Sequence, residues 1–300
     1  MQHITFECTN SRPEDAIALT AVMRDVNYRC KDYFRFSVLS EGKNLFPEIF
    51  EGNPNIAEKE SETTIIPFDG IKATDDRHHF DQLSKLFFKY TMVSFSIGFF
   101  HGELFLTDEE KSKSPVEGKY YVFAVDKNHQ WNRWKDLQNK NETSRVVFIG
   151  FDKVNMENVL NKSGELTLRE IIQHAYHADA IVTTCTFVQS VAGAFQKPCV
   201  YFAKENESLT WRQFACCRMI DGSSDIELVD NCFHSFDKPP SEGQRETPKP
   251  CKHAKMLDEL WHETRPCKGC KVKCENPKCP TDTWYASGCN PKKCRFFEEN

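Results

Sequence analysis

The stretch from Leu166 to Phe202, LTLREIIQHAYHADAIVTTCTFVQSVAGAFQKPCVYF, limits the fold more than any other part of this sequence. Thr167, followed three residues later by Glu170, is a capping box, whose two side chains satisfy amides that the first turn of a helix leaves unpaired. Leu168, Ile171, Ile172 and Ala175 come next at the spacing of a one-faced helix. Ala180 to Thr184 is short, apolar and β-branched, as a strand buried on both faces of a parallel sheet is. Phe187 to Phe195, small and apolar, predicts another helix; Lys197 and Pro198 stop it, and Cys199 to Phe202 predicts another strand. Helix, strand, helix, strand is the order of an α/β fold. In parallel α/β sheets ligands bind at the carboxyl ends of strands, against the N-termini of the following helices. Thr183 to Phe187 stands at such a junction.

The N-terminal half has the same alternation. Ile4 to Cys8 reads as a strand, Ser11 to Pro13 as a turn, and the chain from Glu14 as a helix with Ile17, Ala18, Ala21 and Val22 on one face. Phe34 to Leu39 predicts a second strand, Leu45 to Phe50 a short helix, Asn53 to Asn55 a turn and Thr64 to Phe68 a third strand. This order calls for a parallel sheet with helices on its faces. Phe80, Leu83, Leu86, Phe87 and Tyr90 recur at helical spacing over His78 to Tyr90, with His78 and His79 as capping or solvated residues at its start. Phe95 to Phe105 is aromatic and reads as a strand or loop, and Asp108 to Gly118, charged and broken by proline, as a linker. Beyond it Tyr120 to Val125 and Arg145 to Gly150 are further strands, separated by DKNHQWNRW.

Three hundred residues, 39% of them hydrophobic, are enough for two sizeable cores. The formal net charge of −5 offers no overall attraction for nucleic acid or an anionic membrane. No apolar run reaches the roughly 18 residues of a membrane-spanning helix, and the N-terminus opens into a strand rather than a signal peptide, which points to the cytosol.

The fourteen cysteines divide sharply. Cys8, Cys30, Cys185 and Cys199 are scattered through the α/β pattern as small core residues, and the other ten follow residue 215. Cys267, Cys270, Cys274, Cys279, Cys289 and Cys294 are spaced C-x2-C-x3-C-x4-C-x9-C-x4-C, with Cys251 and His253 upstream. A disulfide scaffold belongs to secreted chains, so the cytosolic reading turns the argument to metal. Zinc or iron takes four thiolate or imidazole ligands, and a CxxC pair presents two sulfurs to one ion. The six are therefore candidate zinc or iron ligands, and Cys267, Cys270, Cys289 and Cys294 are one way to partition them. Lys268, Lys271, Lys273, Lys278, Lys292, Lys293 and Arg295 make this tail basic, either as counter-charges to thiolates or as a nucleic-acid surface. Met256, Leu257, Leu260 and Trp261 share one face of a helical pattern ahead of the cysteines.

The succession ADAIVTTCT and VAGAFQKPCVYF resembles the donor-binding segment of the family 9 glycosyltransferases, the ADP-heptose:lipopolysaccharide heptosyltransferases. The resemblance runs from residue 1 to about residue 215. It implies an α/β chain of GT-B type with two Rossmann-like domains, an acceptor domain over residues 1–112 and a nucleotide-sugar donor domain over 119–237; the proline-rich stretch 238–250 reads by composition as a linker to the cysteine-rich metal-binding module, 251–300. It implies a transferase that moves a heptose-like sugar from a nucleoside-diphosphate donor to a glycan or protein acceptor with inversion. Asp15 falls where that family has its proposed base, and Glu14 stands where the family has glycine. Lys127 and His129, ahead of Trp131 or Trp134, are nearest to the lysine that meets the donor phosphates. Cys185, Thr186, Phe187 and Ser190 hold the positions of the family's aspartate, threonine, glycine and histidine, and only the threonine is retained; Thr184 and Thr186 remain to donate hydrogen bonds to a phosphate. One branch of the family carries a four-cysteine iron site near its C-terminus, with wider spacing than here. The altered donor motif also suits a second reading, a GT-B-shaped protein without catalysis that binds a partner through its metal module.

Overall fold

The computed structural model describes residues 2–30, 33–40, 46–57, 62–71, 79–95, 97, 100–126, 133–140, 145–157, 159–203, 214, 216–221, 254–256 and 272–274. The chain divides into two compact units, residues 1–236 and 237–300.

The first unit holds two parallel sheets. In the N-terminal lobe β1 (Gln2–Cys8), β2 (Phe34–Ser40) and β3 (Thr64–Phe68) lie in the order β2-β1-β3, with Ile4 opposite Phe36 on one side and Thr64 on the other. Ile4, Phe6, Phe34, Phe36 and Ile66 are buried together, and Phe87 of α3 (His79–Thr91) meets Phe34 edge-on at 5.5 Å. The opposite face carries a buried chain of hydroxyls, with Thr5 Oγ1 2.8 Å from Ser37 and 2.7 Å from Thr63. α1 (Pro13–Cys30) is buried at every position from Glu14 to Met23, which requires neighbours all round it rather than a single sheet beneath one stripe.

The second lobe has β4 (Tyr121–Ala124), α5 (Trp134–Lys140), β5 (Val146–Ile149), β6 (Leu160–Asn161), α6 (Leu168–His177), β7 (Ala180–Thr183), α7 (Thr186–Phe195), β8 (Cys199–Ala203) and β9 (Cys217–Asp221). The strands are parallel in the order β6-β5-β4-β7-β8-β9, the doubly wound Rossmann order, in which the winding reverses between β4 and β7. Every residue of β5, β7 and β8 is buried, as apolar runs without alternation demand. Trp134 packs against Phe123, Phe148 and Phe202, with ring centroids 5.7 to 6.3 Å away.

The two lobes are tied by Arg169 of α6, whose Nε and Nη2 donate to the two Glu110 carboxylate oxygens at 2.6 Å. Its Nη1 and Nη2 also donate to the carbonyls of Glu48 and Phe105 at 2.9 Å. Glu110 belongs to α4 (Asp108–Ser112), which corrects the reading of Asp108 to Gly118 as linker throughout. Thr107 and Glu110 form a capping box like that of Thr167 and Glu170, and the capped turn outweighs the charged composition. β6, two residues long, is an element the sequence did not announce. The described residues of 95–105 form neither helix nor strand.

In the second unit β10 (Ala254–Met256) pairs antiparallel with β11 (Val272–Cys274), Ala254 opposite Cys274 and Met256 opposite Val272. Met256 is thus in a strand, where backbone pairing replaces the helix that its apolar spacing predicts; Leu257, Leu260 and Trp261 lie outside the described residues.

Candidate functional site

The reversal between β4 and β7 is the point at which an open α/β sheet leaves a crevice. Two buried threonines build its floor. Thr183 Oγ1 donates to the Ala124 carbonyl at 2.9 Å, and the Thr184 amide donates to the same carbonyl at 3.0 Å. Thr184 Oγ1 accepts from the Asp126 amide at 2.7 Å, a bond that joins the two strand ends. The next residues turn into α7, whose first amides are directed at the crevice, as those of any helix N-terminus are. Cys185, the N-cap, makes no side-chain cap bond. Burial pushes its thiol up to about 11; the amides of Val188 and Phe187 pull it down, and the Glu14 and Asp126 carboxylates raise it. At neutral pH it is therefore a thiol that contributes no charge.

The first turn of α1 faces this helix. Asp15, 1% exposed, accepts at Oδ2 from the Arg12 amide at 3.2 Å and Nε at 3.1 Å, and at Oδ1 from Arg12 Nη2 at 3.2 Å. The fork fixes the carboxylate's plane. Gly70, at φ +73°, closes over it: a Cβ there would stand 3.2 Å from Asp15 Oδ2 and 3.3 Å from the Asn10 carbonyl. Glu14 accepts a hydrogen bond at Oε1 from Thr186 Oγ1 at 2.8 Å and lies 3.4 Å from Arg12 Nη1. Glu14 therefore places a buried carboxylate between the two lobes.

Phe187 does not stand in the crevice. It is 1% exposed, beneath the half-exposed Phe151, with ring centroids 5.3 Å apart. Ser190, one turn beyond Thr186, is 2% exposed, and its hydroxyl has no hydrogen-bond partner among the described residues.

Of the residues singled out in the sequence, Asp15, Thr184, Cys185, Thr186 and Ser190 are thus carried by the turn between β7 and α7, by α7 itself and by the facing end of α1. Lys127, His129 and Trp131 lie outside the described residues, and Trp134 is core. Cys274 ends β11, while Cys267, Cys270, Cys279, Cys289 and Cys294 lie outside the described residues, among which no group of three or more His, Cys, Asp or Glu could hold a metal. Arg12 and Gly70 escaped the sequence reading. Arg12 precedes Asp15 by three residues across the turn, and Gly70 follows β3; both signals were visible but common.

No family model matches the sequence, and no curated protein matches it. Two Rossmann-like lobes with a crevice at the strand reversal define the GT-B class of fold, and solved structures of that class are similar to this chain. Escherichia coli ADP-heptose lipopolysaccharide heptosyltransferase II has a TM-score of 0.59 at 12% identity, over 78% of this chain and 98% of that one. A family 9 glycosyltransferase from Veillonella parvula gives 0.55 at 10%, over 81% and 92%. The iron-containing dodecameric glycosyltransferase TibC from enterotoxigenic E. coli gives 0.53 at 11%, over 82% and 70%. The chain therefore has the fold of the family 9 glycosyltransferases on a highly divergent sequence.

Proposed function

We propose that this chain is a glycosyltransferase that binds a nucleoside-diphosphate sugar at the N-terminus of α7 and transfers a heptose-like sugar to a glycan or protein acceptor with inversion. The observation that carries it is the facing of two helix starts at the strand reversal: α7 presents amides and the Thr186 hydroxyl, and α1 presents the fixed carboxylate of Asp15. Asp15 takes the proton from the acceptor hydroxyl as its oxygen bonds to the anomeric carbon, and the bond from that carbon to the diphosphate oxygen breaks. Negative charge then grows on the leaving diphosphate, where the α7 amides and Thr186 stabilise it. Lys127 and His129, in the segment after β4, add positive charge to the same phosphates, and Ser190 donates from the second turn. Thr184 supports the crevice from beneath, and neutral Cys185 avoids repelling the donor.

The tail supports a resident metal, since six thiols in 28 residues match the soft ligands that zinc or iron takes. Cys267, Cys270, Cys274, Cys279, Cys289 and Cys294 would hold it, and TibC is an iron-containing relative in fold.

A calorimetric titration of the full chain with ADP, GDP, UDP and their sugars tests the reading. Saturable binding of one nucleotide sugar is expected, with slow hydrolysis lost in Asp15→Asn while binding persists. No binding at millimolar concentration would refute it.

A further inference from the structure

The helices of this molecule satisfy their first turns in two different ways. α4 and α6 each carry their own capping box with a glutamate three residues in, Glu110 and Glu170. α7 has no acidic residue in its first turn, and its N-cap, Cys185, makes no side-chain cap bond. The carboxylate that meets it comes from 172 residues away: Glu14, 5% exposed, accepts from Thr186 Oγ1 at 2.8 Å. Burying a carboxylate is costly unless it is paired, and its partners here are Thr186 and, at 3.4 Å, the Arg12 guanidinium. A second group at this end of α7 points to a larger guest than one carboxylate. The buried Ser190 hydroxyl, on the face of α7 that Thr186 begins, has no partner among the described residues.

We propose that Glu14 is a resident anion, occupying the position of the donor diphosphate at the N-terminus of α7 and tying the lobes together until a diphosphate displaces it. The inference rests on the donor reading of that N-terminus. A diphosphate at those amides stands beside the carboxylate that Thr186 holds, and two anions so close repel strongly, so binding turns Glu14 away from Thr186. Arg12, at the edge of the crevice with its side chain half exposed, is then set beside the incoming phosphate. Glu14 thereby sets the threshold for the site: ligands with one weak negative charge do not compete with it, and diphosphates do.

Calorimetry on the full chain with inorganic pyrophosphate, nucleoside diphosphates and nucleoside-diphosphate sugars tests this in the wild type and in Glu14→Gln. Glutamine keeps an acceptor for Thr186 and removes only the charge, and melting temperature and tryptophan fluorescence verify that it folds. Pyrophosphate is expected to bind Glu14→Gln at least tenfold more tightly than the wild type. Equal or weaker binding in Glu14→Gln, or no pyrophosphate binding to either protein, would overturn the proposal. Tighter pyrophosphate binding with no nucleotide bound by either protein would leave the resident anion standing and refute the transferase.

Discussion

Replacing Arg169 with methionine keeps an unbranched stem in place and removes its bonds to Glu110, Glu48 and Phe105, while Gln173 and His177 of α6 keep theirs to the Lys113 and Glu110 carbonyls. The guanidinium is 15% exposed on its side chain and Glu110 20%, so neither is screened as a surface pair is. Arg169 is the main reason the Glu110 carboxyl is pushed down to about 2 from an ordinary 4.5. Discounted for the water that still reaches this carboxyl, the depression corresponds to about 1 to 2 kcal/mol of stability at neutral pH. Part of it survives the substitution, because the Thr107 amide still donates to Glu110 at 2.7 Å and the freed carboxylate regains water. Losing the bonds to the Glu48 and Phe105 carbonyls adds about 1 kcal/mol each before solvent compensates. The net loss expected is about 2 to 3 kcal/mol, read as a shift of the urea midpoint at pH 7. The sign with pH follows from the direction of the shift. A carboxyl with a depressed folded pKa contributes fully above its unfolded value and loses that contribution as pH falls toward the folded one. The gap between wild type and Arg169→Met should therefore narrow as pH falls below about 4.5 toward 2. A loss under 0.5 kcal/mol at pH 7, or a gap unchanged between pH 7 and pH 3, would refute the reasoning.

Other substitutions probe single contacts. At Gly102 a Cβ would overlap the Ile17 carbonyl oxygen and lie 2.5 Å from the Ile17 side chain, so Gly102→Ala should push the loop off α1 and cost about 3 kcal/mol by denaturant titration. Met92 is 74% exposed at φ 57°, a left-handed conformation that glycine adopts without penalty; Met92→Gly should stabilise by about 0.5–1 kcal/mol and raise the melting temperature. Gly70→Ala combines a strained positive φ with a Cβ against Asp15, and should lower turnover more than donor affinity in a kinetic comparison. The purified chain should carry zinc or iron by elemental analysis, with the metal lost on exchanging Cys267 and Cys270 for serine.

The parts of this fold that could be read from sequence are those whose cause is local. The capping box at Thr167 and the apolar runs of β7 and β8 owe their form to neighbours in sequence, and they fall within a residue or two of the predicted bounds. β6 could not be read so, because two residues carry no period and Leu160 and Asn161 are strand only through pairing with Val147 and Phe148. Met256 was misread because an apolar spacing does not record which partner strand is near. At the site, Asp15 and Thr186 were legible as positions at helix starts. Their environment was not, since Gly70 reaches Asp15 from another strand end and Glu14 reaches Thr186 across most of the unit.

The enclosure of α1 has a consequence for synthesis. Part of its cover is α7, which begins at residue 186, so the lobe made first is left with an apolar flank until most of the other has been translated. Pairings so distant in sequence close slowly, and the uncovered flank is available to other chains meanwhile. A nascent chain arrested before residue 186 should bind chaperones through α1, and release should coincide with the emergence of α7 from the ribosome.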